Sequence, residues 1–259
     1  MIMPWKKLSA KTIAIDKITA QNRLEMFNLY NNFYDNVSFE QFETDMLQKT
    51  SIILLQSKTK ELKGFSTLTS YDIENKGRHY HIIYSGDTII DPSYWGTAAL
   101  TMEFLKNIML AKMKRPLSPV WWFLISKGYK TYLLMANNFI NYYPRYDKPT
   151  PKPISALMKE LSEKLYPARF VEEKGILSFD DGRHERLRDF VAPITEQMRE
   201  KYPKIRFFAD KNQGWENGDE LVCLGEVSLL LAIVHPLKIL NKTMRKFGLK
   251  LVAPFKTTP

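Results

Sequence analysis

Two histidines and an aspartate lie on one segment that the sequence predicts to be a long strand, Arg78 to Ile90. Side chains two residues apart point to the same face of a strand, so His79 and His81 share a face, as do Ser85 and Asp87. Imidazole titrates near neutral pH, which suits it to proton transfer. We prefer His81 to His79 as the base, the group that accepts the proton, because His81 lies deeper in the strand. The alternative is that both histidines are hairpin residues that face solvent.

Asp87 is a second candidate base. It follows Gly86, and a β-bulge at this point would turn the carboxylate into a cleft. The alternative is a loop residue that hydrogen-bonds its own backbone.

The end of this strand is the most informative stretch of the chain. A tight turn leads from Asp91-Pro92 into a predicted helix that begins near Ala98. The first backbone N–H groups of a helix have no intrahelical partner and carry partial positive charge, so the junction predicts a phosphate or pyrophosphate site. An ordinary strand-to-helix turn is the other interpretation. The residues that we assign to binding of this ligand are Ile89, Ile90, Tyr94, Trp95, Gly96, Thr97 and Ala98.

Composition restricts the possible partners and the compartment. The formal charge of +10 favours an acidic partner, but the basic residues are scattered, so nucleic acid is a weak candidate. The single cysteine, Cys223, excludes an internal disulfide, and no third ligand accompanies His79 and His81, so we expect no metal site. Residues 1–7 lack the apolar core of a signal peptide, and we expect a cytoplasmic protein.

The predicted elements divide the chain into two parts. A strand, two helices, three antiparallel strands, a helix, a central strand (Val120 to Ile125) and a helix (Lys130 to Tyr142) precede a proline-rich linker. We place a first domain at residues 1–147 and a C-terminal lobe at residues 148–259. The lobe is expected to hold a strand around Gly175 to Phe179, helices at Ile154–Leu165, His184–Tyr202 and Glu226–Phe247, and strands at Lys204–Ala209 and Glu220–Leu224.

The first part resembles the GNAT-type acyltransferases over roughly residues 10–147. The residues that match the acyl-CoA motif of that family are Ile90, Pro92, Gly96, Ala98 and Leu100, whereas Ser93 stands where the family prefers glutamine or arginine. The segment Phe139 to Tyr146 is similar to the tyrosine-bearing segment that follows the family's central strand. The fold class that the resemblance implies is α/β (α+β), with a mixed, mainly antiparallel sheet flanked by helices and an additional C-terminal α/β lobe.

The resemblance implies transfer of an acyl group from a thioester to an amine or hydroxyl. The donor would be acyl-CoA, or acyl-phosphopantetheine on an acyl carrier protein, with no tightly bound cofactor. A backbone N–H near Ile89 or Ile90 would hold the thioester carbonyl, His81 or Asp87 would act as base, and Tyr143 would protonate the leaving thiolate. Tyr142 and Tyr132 are the other candidate acids.

Two other function classes remain open. One is a non-catalytic GNAT-like binding module, and the other is a peripheral lipid-binding protein. The latter interpretation comes from the apolar-then-basic terminal segment 226–250, which could contact an anionic membrane, wall an acyl tunnel or pack on the core. We expect the C-terminal lobe to select the acyl group or the acceptor.

Overall fold

The computed structural model describes residues 8–179, 186–188, 191 and 193–231. Its first part has the predicted order of strands and helices, with one unpredicted short strand, Tyr34–Asp35, between the first two helices. The bounds are β1 (Ser9–Ala14), α1 (Ala20–Tyr30), β2 (Tyr34–Asp35), α2 (Phe39–Leu47), β3 (Ser51–Gln56), β4 (Leu62–Asn75), β5 (Arg78–Ile90), α3 (Ala99–Lys114), β6 (Val120–Ser126) and α4 (Tyr129–Asn138).

The second part consists of short strands, helices and one longer strand. The bounds are β7 (Tyr142–Tyr143), α5 (Lys152–Leu165), β8 (Phe170–Val171), β9 (Ile176–Leu177), β10 (Arg186–Leu187), α6 (Glu196–Lys201), α7 (Pro203–Lys211) and β11 (Glu220–Glu226).

One large sheet runs through both parts of the chain. Its strands lie in the order β1-β3-β4-β5-β6-β11-β9-β8, and β7 also pairs with β11. Strands β5 and β6 are parallel to each other, whereas the other neighbours along this order are antiparallel. A mixed, mainly antiparallel sheet flanked by helices was predicted, and the structure confirms it.

Strand β6 is central because both of its faces are covered. Its sequence, VWWFLIS, is apolar up to the final serine, and every residue in it is buried. Trp122 and Leu124 pack on one side with Phe104 and Ile108 of α3, whereas Trp121, Phe123 and Ile125 pack on the other with residues of α5. A strand that is covered on both faces has an unbroken apolar sequence, as this one has.

Helix α1 and helix α2 cover the sheet near β3 and β4. Both helices begin at a side-chain cap: Thr19 Oγ1 accepts from the N–H of Asn22, and Ser38 Oγ accepts from the N–H of Gln41. Such caps satisfy N–H groups that have no intrahelical partner. The buried Met26, Tyr30 and Phe42 then pack against Phe65.

Three predicted elements are wrong. Residues 204–209 are not a strand but belong to helix α7, whose buried residues Ile205 and Phe208 are three apart, the spacing of one helix face. Helix α4 ends at Asn138, and Tyr142–Tyr143 is strand β7, paired with Leu224 and Gly225. In the segment predicted as a helix from His184, residues 186–187 form β10 beside β2, and α6 covers only Glu196–Lys201.

The terminal segment was predicted to be helical from Glu226. Glu226 is instead the last residue of β11, and residues 232–250 lie outside the described residues. Within the described ranges, no helix is long and apolar enough to cross a membrane.

The predicted boundary at residue 147 does not follow an edge of the sheet. Strand β11, from the second part, pairs with β6 along Leu221↔Ser126 to Glu226↔Trp121. The second part therefore supplies a neighbour that the central strand of the first part requires.

Candidate functional site

A gap opens in the sheet between the two parallel strands. The pairing of β5 with β6 ends at Ser85↔Leu124, yet β5 continues to Ile90 and β6 continues to Ser126. Beyond Ser85, β5 stays with β4, and the end of β6 stays with β11. The two strands thus diverge and leave a V-shaped space, which we call the cleft.

A β-bulge lies where the strands part. Leu68 pairs with Ser85 and Ser66 pairs with Thr88, so Thr67 faces two residues, Gly86 and Asp87. A side chain at Gly86 would place its Cβ 2.6 Å from Thr67 Oγ1, which explains the glycine. The predicted bulge is confirmed, and it brings Asp87 to the wall of the cleft.

The cleft leads into a cavity of about 1120 Å³. The cavity is lined by residues 86–90 of β5, by the turn at Trp95 and Gly96 and by the first turns of α3 and α4. Residues of α1 and α2, Leu165, Tyr166 and Arg169, and the first residue of β11 also line it. A cavity of this size can hold a drug-sized ligand. Its charged lining residues are Lys49, Lys127, Lys130, Arg169, Asp45, Asp87 and Glu220.

The N-termini of two helices reach the cleft. Leu100 and Thr101 in the first turn of α3 line it, as do Lys130 and Thr131 at the start of α4. Neither helix has a side-chain cap at its N-cap residue. Two sets of backbone N–H groups and two positive dipole ends therefore favour an anionic ligand here.

The turn before α3 only partly fits the sequence prediction. Gly96 lines the cavity and has a φ of +82°, a left-handed conformation that favours glycine, and no atom lies within 4 Å of the position of an added Cβ. Thr97 Oγ1 accepts from the N–H of Ala99 at 3.3 Å and so supports the helix start. Tyr94, Thr97 and Ala98 are not among the residues that line the cavity, whereas Ile89, Ile90 and Trp95 are.

Trp95 connects the two sides of the cleft. Its Nε1 donates to the carbonyl oxygen of Ile90 at 2.7 Å, and the Lys130 ammonium lies 3.9 Å from the centre of its ring. Burial lowers the pKa of Lys130. The indole thus bonds to a carbonyl at the end of β5, and a ligand that bonds to the same oxygen must share it with Trp95 or displace the indole.

Two phenols and two carboxylates meet at the inner wall of the cavity. Tyr84 and Tyr166 share a hydrogen bond, and burial, followed by smaller contributions that include Glu220 and Asp87, raises the pKa of both phenols. Lys127 Nζ lies 3.7 Å from Glu220 Oε1 and 5.0 Å from the centre of the Tyr34 ring. Proton donors, proton acceptors and a cation are therefore close together at this wall, where Tyr84 and Glu220 are buried.

The structure does not bring His81 to this cavity. His81 is buried, with 4% of its surface exposed, and it contacts Ser70 and Asp72 instead. Six residues of extended strand at about 3.3 Å each separate it from Asp87, a distance of about 20 Å. The expectation that His79 and His81 both face solvent holds only for His79, whose side chain is 81% exposed.

Tyr143 also lies outside the cavity lining. It is buried in β7 beside Leu224, in the cluster that contains Leu157 of α5. The other two tyrosines considered are Tyr132 of α4 and Tyr142 of β7; both are buried, and their ring centres are 6.4 Å apart. Of the predicted acid–base residues, the structure places only Asp87 at the cleft.

Sequence reasoning missed Glu220, Tyr166 and Lys127. Lys127 directly follows the central strand, where a cleft was expected, and this position was a usable signal. Glu220 ends the polar turn Gly214 to Glu220, which reads as an ordinary hairpin loop. Nothing near Tyr166 in the sequence shows that α5 ends beside Tyr84, because that contact depends on tertiary packing.

Neither a family model nor a curated protein matches this chain. Among solved structures, it is similar to a probable N-acyltransferase from Enterococcus faecalis, with 21% identity and a TM-score of 0.37 over 50% of this chain and 32% of that one. This chain therefore spans about a third of the length of the Enterococcus protein.

Two further similar structures are GNAT-family acetyltransferases. The protein YhbS from Escherichia coli, solved in complex with CoA, is 9% identical, with a TM-score of 0.33 over 47% of this chain and 64% of that one. An acetyltransferase from Staphylococcus aureus is 17% identical, with a TM-score of 0.36 over 56% of this chain and 93% of that one. Each of these three similarities covers about half of this chain.

Proposed function

We propose that this protein is an acyltransferase that binds an acyl-CoA thioester in the cleft between β5 and β6 and transfers the acyl group to an amine. The observation that carries the proposal is the divergence of two parallel strands beside two helix N-termini. It combines exposed strand backbone, which can pair with the amides of pantetheine, with N–H groups that can hold a pyrophosphate.

The thioester carbonyl would lie against the backbone of residues 86–90. A carbonyl there can accept a hydrogen bond from a strand N–H that no longer has a neighbour in β6. Such fixed donors stabilise the negative charge that develops on the oxygen during acyl transfer. The bulge at Gly86 and Asp87 marks the place where this backbone becomes available.

The acid and the base follow from the inner wall of the cavity. Asp87 or Glu220 would accept a proton from the attacking amine, and Tyr166, in its hydrogen bond with Tyr84, would donate one to the leaving thiolate. Both phenols are protonated near neutral pH, as a tyrosine is at its ordinary pKa of 10.0, and a proton donor requires this. These groups replace His81 and Tyr143 in the mechanism.

An amine is the favoured acceptor because of what surrounds the cavity. Asp45, Asp87 and Glu220 line it together with the rings of Tyr30 and Tyr34. Carboxylates and aromatic faces both attract an ammonium group. Leu165, Tyr166 and Phe179, which come from the second part of the chain, also line the cavity and would limit the length of the acyl group.

Blocking the first turn of α3 tests the proposal. Thr101 lines the cleft, whereas the next residue, Met102, does not line it and is 45% exposed. We expect Thr101→Trp to weaken CoA binding at least tenfold in isothermal titration calorimetry, because the indole fills the space beside the N–H groups. Met102→Trp is the matched control and should bind CoA like the wild type.

The wild type must also release thiol from acetyl-CoA in the presence of an amine. Binding of CoA without any turnover across amine acceptors and acyl lengths would instead support a non-catalytic binding module. Equal affinity of the Thr101→Trp and Met102→Trp variants for CoA would show that the donor does not bind in the cleft.

A further inference from the structure

A serine, a histidine and an aspartate form a connected cluster far from the cleft. Ser70 and Asp72 are two residues apart on β4, and Asp72 pairs directly with His81 of β5. Residues two apart on one strand share a face with the residue directly opposite on the neighbouring strand. The three side chains therefore meet on one face of the β4–β5 ladder.

The atoms are connected in the order of a catalytic Ser–His–Asp triad. His81 Nδ1 lies 2.6 Å from Asp72 Oδ1, and His81 Nε2 lies 2.8 Å from Ser70 Oγ. The hydrogen bond to His81 is the largest cause that lowers the pKa of Asp72, so its carboxylate is ionised and can only accept. Nδ1 then donates its proton to Asp72, and in the neutral form of the ring Nε2 can accept the proton of Ser70.

The histidine is held in place by burial, by a backbone hydrogen bond and through Asp72. Its side chain is 5% exposed, and its backbone N–H donates to the carbonyl oxygen of Pro119 at 2.9 Å. Arg115 Nη2 lies 3.4 Å from the second oxygen of Asp72, which fixes the carboxylate in turn. Ser70 itself is exposed, so a reagent can approach its hydroxyl from solvent.

We propose that Ser70 is the nucleophile of a second site, separate from the cleft, which takes acyl groups from carboxylic esters. Ser70 Oγ forms a bond to the ester carbonyl carbon while its proton passes to His81 Nε2. The bond from that carbon to the leaving oxygen breaks, and the leaving alkoxide takes the proton from Nε2. A water oxygen then bonds to the acyl carbon while a water proton passes to His81 Nε2. The bond from that carbon to Ser70 Oγ breaks, and Oγ takes the proton from Nε2, which releases the carboxylic acid and restores Ser70.

The position of the cluster makes this activity independent of the acyltransferase proposal. About 20 Å of extended strand separates His81 from Asp87 at the cleft. A substitution that blocks the cleft should therefore leave the reactivity of Ser70 unchanged.

Hydrolysis of p-nitrophenyl acetate by the full chain tests the proposal. We expect nitrophenolate release by the wild type to fall at least tenfold in Ser70→Ala, and tandem mass spectrometry of briefly treated wild type to find acetyl on Ser70. Ser57 is half-buried and Ser93 is exposed; they bond to Thr59 and Asp91 rather than to a histidine, and they should remain unmodified.

A second variant tests whether Asp72 and His81 activate Ser70 or whether Ser70 reacts only because it is exposed. The Asp72 side chain is 65% exposed, so Asp72→Asn should fold normally, yet it removes the charge that holds Nδ1–H. We expect it also to slow nitrophenolate release at least tenfold, whereas Thr101→Trp should match the wild type. Unchanged release in either Ser70→Ala or Asp72→Asn would overturn the proposal.

Discussion

Tyr166 is the residue on which the proposed chemistry depends most clearly. Its phenol shares a hydrogen bond with Tyr84, and burial raises its pKa. Phenylalanine keeps the ring but removes the proton that the leaving thiolate needs. We expect Tyr166→Phe to lower the rate of acyl transfer roughly 100-fold, the typical contribution of one general acid, with little change in the affinity for CoA.

Tyr143→Phe is the matched control for that substitution. Tyr143 is buried outside the cavity lining, so the variant should retain wild-type turnover in the same thiol-release assay. A larger loss of rate in Tyr143→Phe than in Tyr166→Phe would return the acid function to Tyr143.

Among single residues, the sequence predicted five cleft residues of one continuous segment, whereas Tyr94, Thr97 and Ala98 of the same segment do not line the cavity. Asp87, Ile89, Ile90, Trp95 and Gly96 all follow the start of the bulge and all line the cleft. Glu220 and Tyr166 could not be predicted in the same way, because they reach the site from β11 and from the end of α5. His81 was misplaced because a period of two fixes the face of a strand but not the distance along it.

Among the elements, β5 was predicted with its exact bounds and α7 was mistaken for a strand. Strand β5 lies between a charged turn and Asp91-Pro92, so both of its ends carry a local signal. The α7 segment is short and contains Phe207-Phe208, a pattern that periodicity alone cannot assign. Pro203 at its first helical position was the signal that favoured a helix.

The loop after β7 offers a test of stability at the scale of one element. Arg145 Nε donates to Asp147 Oδ1 at 2.7 Å, and Arg145 Nη1 donates to the carbonyl oxygen of Ile140 at 3.0 Å. The bond from Arg145 lowers the pKa of the Asp147 carboxyl below its ordinary value of 3.8. The carboxylate therefore stabilises the folded state above the unfolded pKa, and this contribution is lost as the pH falls through the lower, folded-state pKa.

We expect Asp147→Asn to lower the free energy of unfolding by about 0.5–1 kcal/mol at pH 7, a small value because the side chain is 39% exposed. Urea denaturation at pH 7 and at pH 3 measures the difference between the variant and the wild type. The difference should shrink at the lower pH. An equal difference at both pH values would contradict this account of the ion pair.

In the whole molecule, the two parts of the chain share one sheet. Strand β6 would become an edge strand if β11 were removed, and its apolar sequence would then be exposed to pairing with other chains. We expect a chain that ends at Pro153 to be insoluble or to unfold without cooperativity in circular dichroism, whereas the full chain should unfold cooperatively. A soluble, cooperatively folding and active fragment would contradict the role given to β11.

The sequence could not predict this shared sheet, although it predicted both strands. Val120 to Ile125 and Glu220 to Leu224 each have the composition of a buried strand, but nothing local states that they are neighbours. Pairing of strands about a hundred residues apart is decided by the packing of the whole chain. The proline-rich linker predicted a domain boundary. In the structure it connects two parts of the chain that share one sheet.

The most direct test of the central claim is a crystal structure of the full chain with a thioether analogue of acetyl-CoA. We expect the sulfur to lie between the diverging ends of β5 and β6. The neighbouring carbonyl oxygen should lie within hydrogen-bonding distance of the backbone at residues 86–90, and the pyrophosphate should lie at the first turn of α3, beside Gly96 and Thr101. Analogue bound elsewhere on the protein, or no bound analogue at a saturating concentration, would contradict this claim.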